Sequence, residues 1–95
     1  MNHKYQIINQ YPNLTHAYYI DNHNGEVNID TSNFAKSLTD IKNTILSQDE
    51  NLIVRHSVYP NGFEILFIQE PDNIEIRTNY PLEMDSNGIY QVKLN

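Results

Sequence analysis

Residues 34–45 read Phe34-Ala35-Lys36-Ser37-Leu38-Thr39-Asp40-Ile41-Lys42-Asn43-Thr44-Ile45. Phe34, Leu38, Ile41 and Ile45 recur at spacings of 4, 3 and 4, which at 3.6 residues per turn gathers them into an apolar stripe about 60° wide. Lys36, Asp40 and Asn43 fall on the opposite side, and Thr31-Ser32-Asn33 offers three N-cap side chains just upstream. The spacing predicts one amphipathic helix of about four turns. Four apolar side chains cannot bury themselves, so such a helix needs a sheet to cover.

The chain on the C-terminal side supplies sheet-forming patterns. Leu52, Val54, His56 and Val58 alternate with Ile53, Arg55, Ser57 and Tyr59, and Pro60-Asn61-Gly62 then provides turn chemistry. Residues 63–69 return as a second strand. Glu70-Pro71-Asp72-Asn73 turns the chain again, and Ile74, Ile76, Thr78 and Tyr80 alternate with Glu75, Arg77 and Asn79. Pro81 removes a ladder donor, so that strand ends, bends or lies at an edge. A last hairpin is expected around Asp85-Ser86-Asn87-Gly88, joining residues 82–84 to 89–94.

On the N-terminal side, residues 4–8 read as a short strand, and 9–14 as a loop containing Pro12. His16-Ala17-Tyr18-Tyr19-Ile20 and Val27-Asn28-Ile29 flank Asn24-Gly25, a hairpin signal because both turn residues tolerate positive φ. The expected architecture is therefore α+β: N-terminal strands or hairpin, one amphipathic helix, and a four-stranded antiparallel meander on which the helix packs. No repeat, linker or low-complexity tract divides the chain, so residues 1–95 form a single domain.

Composition bounds what this domain can do. Leu, Ile, Val and Phe make up 26 of 95 residues, enough for a core, while the absence of cysteine excludes disulfides and thiolate metal sites. No charged stretch followed by an apolar one opens the chain and no apolar run exceeds four residues, so neither a signal peptide nor a membrane span is expected. A cytoplasmic location in a bacterial host fits these features. Twelve carboxylates face six Lys and Arg, a net charge of −6, which disfavours direct contact with nucleic acid or anionic lipid and favours a basic protein partner. Asn (14), Ile (12) and Tyr (7) are abundant and Ala (2) is scarce, as in a gene rich in A and T, yet only four lysines are present. That shortage suggests selection for a negative surface, with chance in a short chain as the alternative.

No catalytic constellation emerges. His3, His16, His23 and His56 are scattered without metal-ligand spacing, and no glycine-rich phosphate loop exists, so no catalytic residue, metal or cofactor is expected. Asp21 to Glu26 lacks the oxygen-ligand register of a calcium loop, Asn13-Leu14-Thr15 is a glycosylation triplet without a secretion signal, and Asp49-Glu50 reads as a solvated helix exit. The charge itself is uneven. Residues 49–95 carry eight carboxylates against three cations, and Glu64, Glu70 and Glu75 share one face of the predicted sheet if Phe63, Phe67, Ile74 and Ile76 face the helix. Carboxylates on alternate strand residues repeat every ~6.5–7 Å, close to the phosphate spacing of a nucleic acid strand. A solvated face that keeps the protein soluble has the same pattern. Tyr18 and Tyr19 must point to opposite faces, which leaves one of them available to a partner or to cross-strand packing.

Residues 51–59 (Asn51-Leu52-Ile53-Val54-Arg55-His56-Ser57-Val58-Tyr59), the strand at 64–69, the turn Asp85-Ser86-Asn87-Gly88 and the closing Lys93-Leu94 resemble the phage uracil-DNA glycosylase inhibitor family over about half the chain. The resemblance implies a DNA mimic that plugs a basic cleft with an acidic strand. Glu26 to Asp30 only loosely matches the place of that family's Glu-Ser-Ile strand, and its N-terminal helix has no counterpart in the strand reading of residues 4–30. The expectation is a non-enzymatic, acidic phage or mobile-element protein that inhibits a nucleic-acid-processing or defence enzyme, of the anti-CRISPR, anti-restriction or glycosylase-inhibitor type. Its partner-binding residues would be Glu64, Glu70, Asp72 and Glu75, then Glu26 and Asp30. An immunity protein against a basic nuclease toxin, a dimerising structural protein and a small enzyme using His56 remain alternatives, and the chain would be a monomer or homodimer.

Overall fold

A computed structural model describes residues 3–21, 27–32 and 38–93. The elements in chain order are helix α1 (His3–Ile8), strands β1 (His16–Asp21) and β2 (Ile29–Asp30), a 3₁₀ turn at Leu38–Asp40, and strands β3 (Lys42–Asp49), β4 (Leu52–Val58), β5 (Glu64–Gln69), β6 (Asn73–Thr78), β7 (Leu82–Met84) and β8 (Tyr90–Val92). They build a five-stranded antiparallel sheet of order β1-β6-β5-β4-β3 and a three-stranded sheet of order β2-β8-β7. The protein is mostly β, which corrects the expected helix packed on a sheet.

The correction turns on the stretch that opened the reading. Residues 42–49 pair with β4 from Lys42 opposite Val58 to Asp49 opposite Leu52, with a bulge between Ile45 and Ser47. A helix here would leave the β4 edge without a ladder, whereas the strand pairs that edge along its length. The local chemistry agrees. Asn43, Thr44, Ile45 and Ser47 are weak helix formers, and Asp49 Oδ1 accepts the amides of Asn51 and Leu52 at 2.8 and 2.9 Å, closing a tight turn where the helix was expected to end. Phe34 and the rest of 33–37 lie outside the described residues.

Two further expectations change. Residues 4–8, read as a strand, belong to α1, where Asn9 donates to the Tyr5 carbonyl and Tyr11 to the Ile8 carbonyl. Lys4, Ile7, Ile8 and Tyr11 fall on one helical face, and Pro12 follows the last of these turns. The expected pairing of 16–20 with 27–29 is absent: β1 instead joins β6, with Tyr18 opposite Ile76 and Ile20 opposite Ile74, and β2 lies parallel to β8. The predicted Asn24-Gly25 turn lies outside the described residues.

From β4 onward the pattern stands closer to expectation. Tyr59, Pro60, Asn61 and Gly62 turn β4 into β5, with the Gly62 amide donating to the Tyr59 carbonyl and Gly62 at φ +93°, a conformation that side chains disfavour. β5 and β6 pair in register from Ile65–Thr78 to Gln69–Ile74. After Pro81 the chain leaves the large sheet, so the last hairpin is not a fourth meander strand but the three-stranded sheet's β7 and β8.

Both faces of the large sheet are covered. On one, α1 and the loop after it place Ile8 and Leu14 against Val54, Leu66 and Ile68. On the other, the small sheet and the aromatic side chains around it enclose Phe63, Ile65, Ile74, Ile76 and Leu82. Tyr18 ties the layers by accepting the Leu82 amide at 2.7 Å through its hydroxyl. Among the described residues no helix is long and apolar enough to cross a membrane.

Candidate functional site

Strand parity places Glu64 and Glu75 on the same face of the large sheet, opposite Ile65, Phe67, Ile74 and Ile76, as the alternation required. That face is the one α1 covers. Glu75 is only 1% exposed and is held by Lys4 Nζ at 2.9 Å and Arg77 Nε at 2.6 Å. Lys4 also reaches Glu70 at 2.8 Å. Burial of the Lys4 ammonium works to lower its pKa, but hydrogen bonds to Glu70 and Glu75, with their negative charges, outweigh it and raise the value above the ordinary 10.5. Glu64 is half-buried, accepting Asn13 Nδ2 at 3.1 Å and lying 3.0 Å from His56 Nε2, whose ring stacks on Tyr11.

Glu64, Glu70 and Glu75, three of the six expected partner-binding residues, therefore already have side-chain partners on other elements or along the strand, and Asp30 has a local one. Asp30 is half-buried and its carboxylate accepts the Ser32 hydroxyl and amide, which hold its pKa below 3.8. Glu26 lies outside the described residues. Asp72 is exposed and forms no ion pair among the described residues. The five described ones do not gather on one open strand face.

What gathers instead is an end of the molecule. The β3–β4 and β5–β6 turns lie at the same end of the large sheet because β4 and β5 run antiparallel between them. They bring Asp49 and Glu50 to the same cleft as Glu70, with Asp72 on the same turn as Glu70. A cleft of about 460 Å³ opens there over Leu52, walled by His3, Lys4, Asp49, Glu50 and Glu70. The one lysine lining it is neutralised by Glu70 and Glu75, so the opening is electronegative. An adjoining hollow of about 290 Å³ shares His3 and Asp49 and runs between α1 and β3 along Gln6, Ile7 and Leu46.

Sequence reading passed over Asp49-Glu50 because a pair after a predicted helix faces water, and it could not connect Lys4 to residues 70 and 75 without the fold. The His56–Glu64 neighbourhood was legible, since the Pro60-Asn61-Gly62 turn sets His56 diagonal to Glu64 across the hairpin. Among the described residues, no three His, Asp or Glu side chains converge as a metal site. Comparison with protein-family models, curated proteins and solved structures found no significant match.

Proposed function

We propose that the protein acts by binding, presenting the acidic end formed by the β3–β4 and β5–β6 turns to a basic site on a nucleic-acid-processing or defence enzyme. It would inhibit that enzyme by occupying the Arg and Lys positions meant for phosphate, as a phage or mobile-element protein of the anti-CRISPR, anti-restriction or glycosylase-inhibitor type. The observation that carries this reading is the convergence of Asp49, Glu50 and Glu70 around an open cleft whose lining lysine is internally neutralised, with Asp72 exposed on the same β5–β6 turn as Glu70. Exposed carboxylates at such a rim steer a basic partner and fix its register, while apolar and aromatic contacts supply much of the affinity.

The site thus shifts from a strand face to a sheet end. Glu64 and Glu75 hold the fold together, and Glu50 and Asp72 are the carboxylates left to meet a partner, with Glu70 and Asp49 contributing field from fixed positions. The test is capture from a bacterial lysate by the wild-type chain and by the Glu50→Lys/Asp72→Lys variant, with duplex DNA as competitor. The expected result is a basic DNA- or RNA-processing enzyme retained by wild type, released by DNA, and reduced about tenfold or more by the charge reversal. Capture that neither DNA nor the charge reversal alters contradicts the reading.

A further inference from the structure

On the face of the large sheet that carries the small sheet, a second and more enclosed cleft of about 160 Å³ lies between β4 and β5 on one side and the start of β2 on the other. Val27, Ile29, Ile65 and Phe67 give it an apolar wall, and Arg55 and Thr31 stand at its polar side. Arg55 is exposed, makes no ion pair among the described residues, and holds its guanidinium carbon 5.4 Å from the Phe67 ring centroid. In a chain with twelve carboxylates and six Lys and Arg, a guanidinium held over an aromatic ring at a cleft, with no carboxylate on it among the described residues, is a candidate anion-binding group.

The other polar groups narrow the ligand. Ser57 Oγ donates its proton to Asn43 Oδ1 at 2.5 Å, so the Ser57 hydroxyl has no donor left for an anion. Arg55 supplies a planar fork and Thr31 a hydroxyl, with Tyr59 also on the lining, a donor set suited to one carboxylate. The volume is close to the roughly 150 Å³ that accommodates a benzene ring in an apolar cavity. A neutral ligand would leave the guanidinium without a counter-charge, whereas a carboxylate pairs with it as the ring covers the apolar wall.

We propose that this cleft is a binding site for a small single-ring carboxylate, with the carboxylate on Arg55 and the ring against Ile65 and Phe67. The site is separate from the acidic end and does not depend on its role. The test is titration of the isotope-labelled full chain with benzoate at constant ionic strength, followed by amide chemical shifts, with benzyl alcohol as the uncharged ring and acetate as the ringless anion. Saturable shifts centred on Arg55, Ile65, Phe67 and Ile29 are expected, with affinity lowered about tenfold or more by Arg55→Gln and by loss of either the charge or the ring. Thermal unfolding of Arg55→Gln confirms that the variant stays folded; Arg55→Lys serves as the second variant, keeping the charge but losing the bidentate fork, with intermediate affinity expected. The proposal is overturned by absence of saturation up to about 10 mM benzoate, by shifts centred elsewhere, or by equal binding of benzyl alcohol.

Discussion

Glu75 shows how little a residue's type reveals about its duty. A carboxylate in an acidic strand suggests a charge offered to a partner, but its 1% exposure and its two cations make it a structural ion group. Glu75→Gln leaves Lys4 and Arg77 without their shared counter-ion in a largely buried setting, and a loss of about 3 kcal/mol in denaturant unfolding is expected. The raised pKa of Lys4 gives the network a pH signature. Its contribution is fully present below 10.5 and is lost as pH rises through the higher folded value, so the stability gap between wild type and Lys4→Met should close at strongly alkaline pH. Asp85 behaves in the opposite sense: the Ile89 amide first, then the Gln91 side chain and the Asn87 amide, hold its pKa below 3.8. Its stabilisation is present above 3.8 and lost as pH falls through the lower folded value, so Asp85→Ala should lower the melting temperature at neutral pH and converge with wild type in acid.

Among the elements, the strands from β4 to β6 were legible because alternation, turn residues and local pairing agree there. Gly62 fits that agreement at a turn position with φ +93°, and Gly62→Ala should cost about 1 kcal/mol or more in denaturant unfolding, although nothing obstructs its added Cβ. The stretch 34–45 was not legible in the same way. Its helical spacing is real, but from Lys42 onward the open edge of β4 outweighs it, and the Asx turn at Asp49 was the local cue that pointed to a hairpin. Hydrogen exchange distinguishes the two states directly: amides of residues 42–49 that face β4 should be protected and those facing outward unprotected, whereas a helix would protect successive amides. Helix α1 was hidden for a different reason. Its face is completed by Lys4, whose partner residues lie 66 and 71 positions away.

Across the whole molecule, the acidity foreseen in residues 49–95 divides into three populations. Glu64 and Glu75 on the covered face of the large sheet are matched with Lys4, Arg77 and His56, Asp49, Glu50 and Glu70 stand around an open cleft at one end with Asp72 on the adjoining turn, and Glu83 and Asp85 lie on the small sheet's hairpin. The expected concentration of charge was legible by counting, but its division depended on α1 lying over the strand face, which periodicity alone did not disclose. The core is likewise split between two faces, so Leu66→Ala beneath α1 should cost about 2–5 kcal/mol without touching the acidic end. The most direct measurement is therefore partner capture by Glu50→Lys/Asp72→Lys at fixed ionic strength, read beside its melting temperature. Loss of a DNA-competable basic enzyme with melting unchanged is expected, and undiminished capture by this folded variant removes the acidic end as the binding surface.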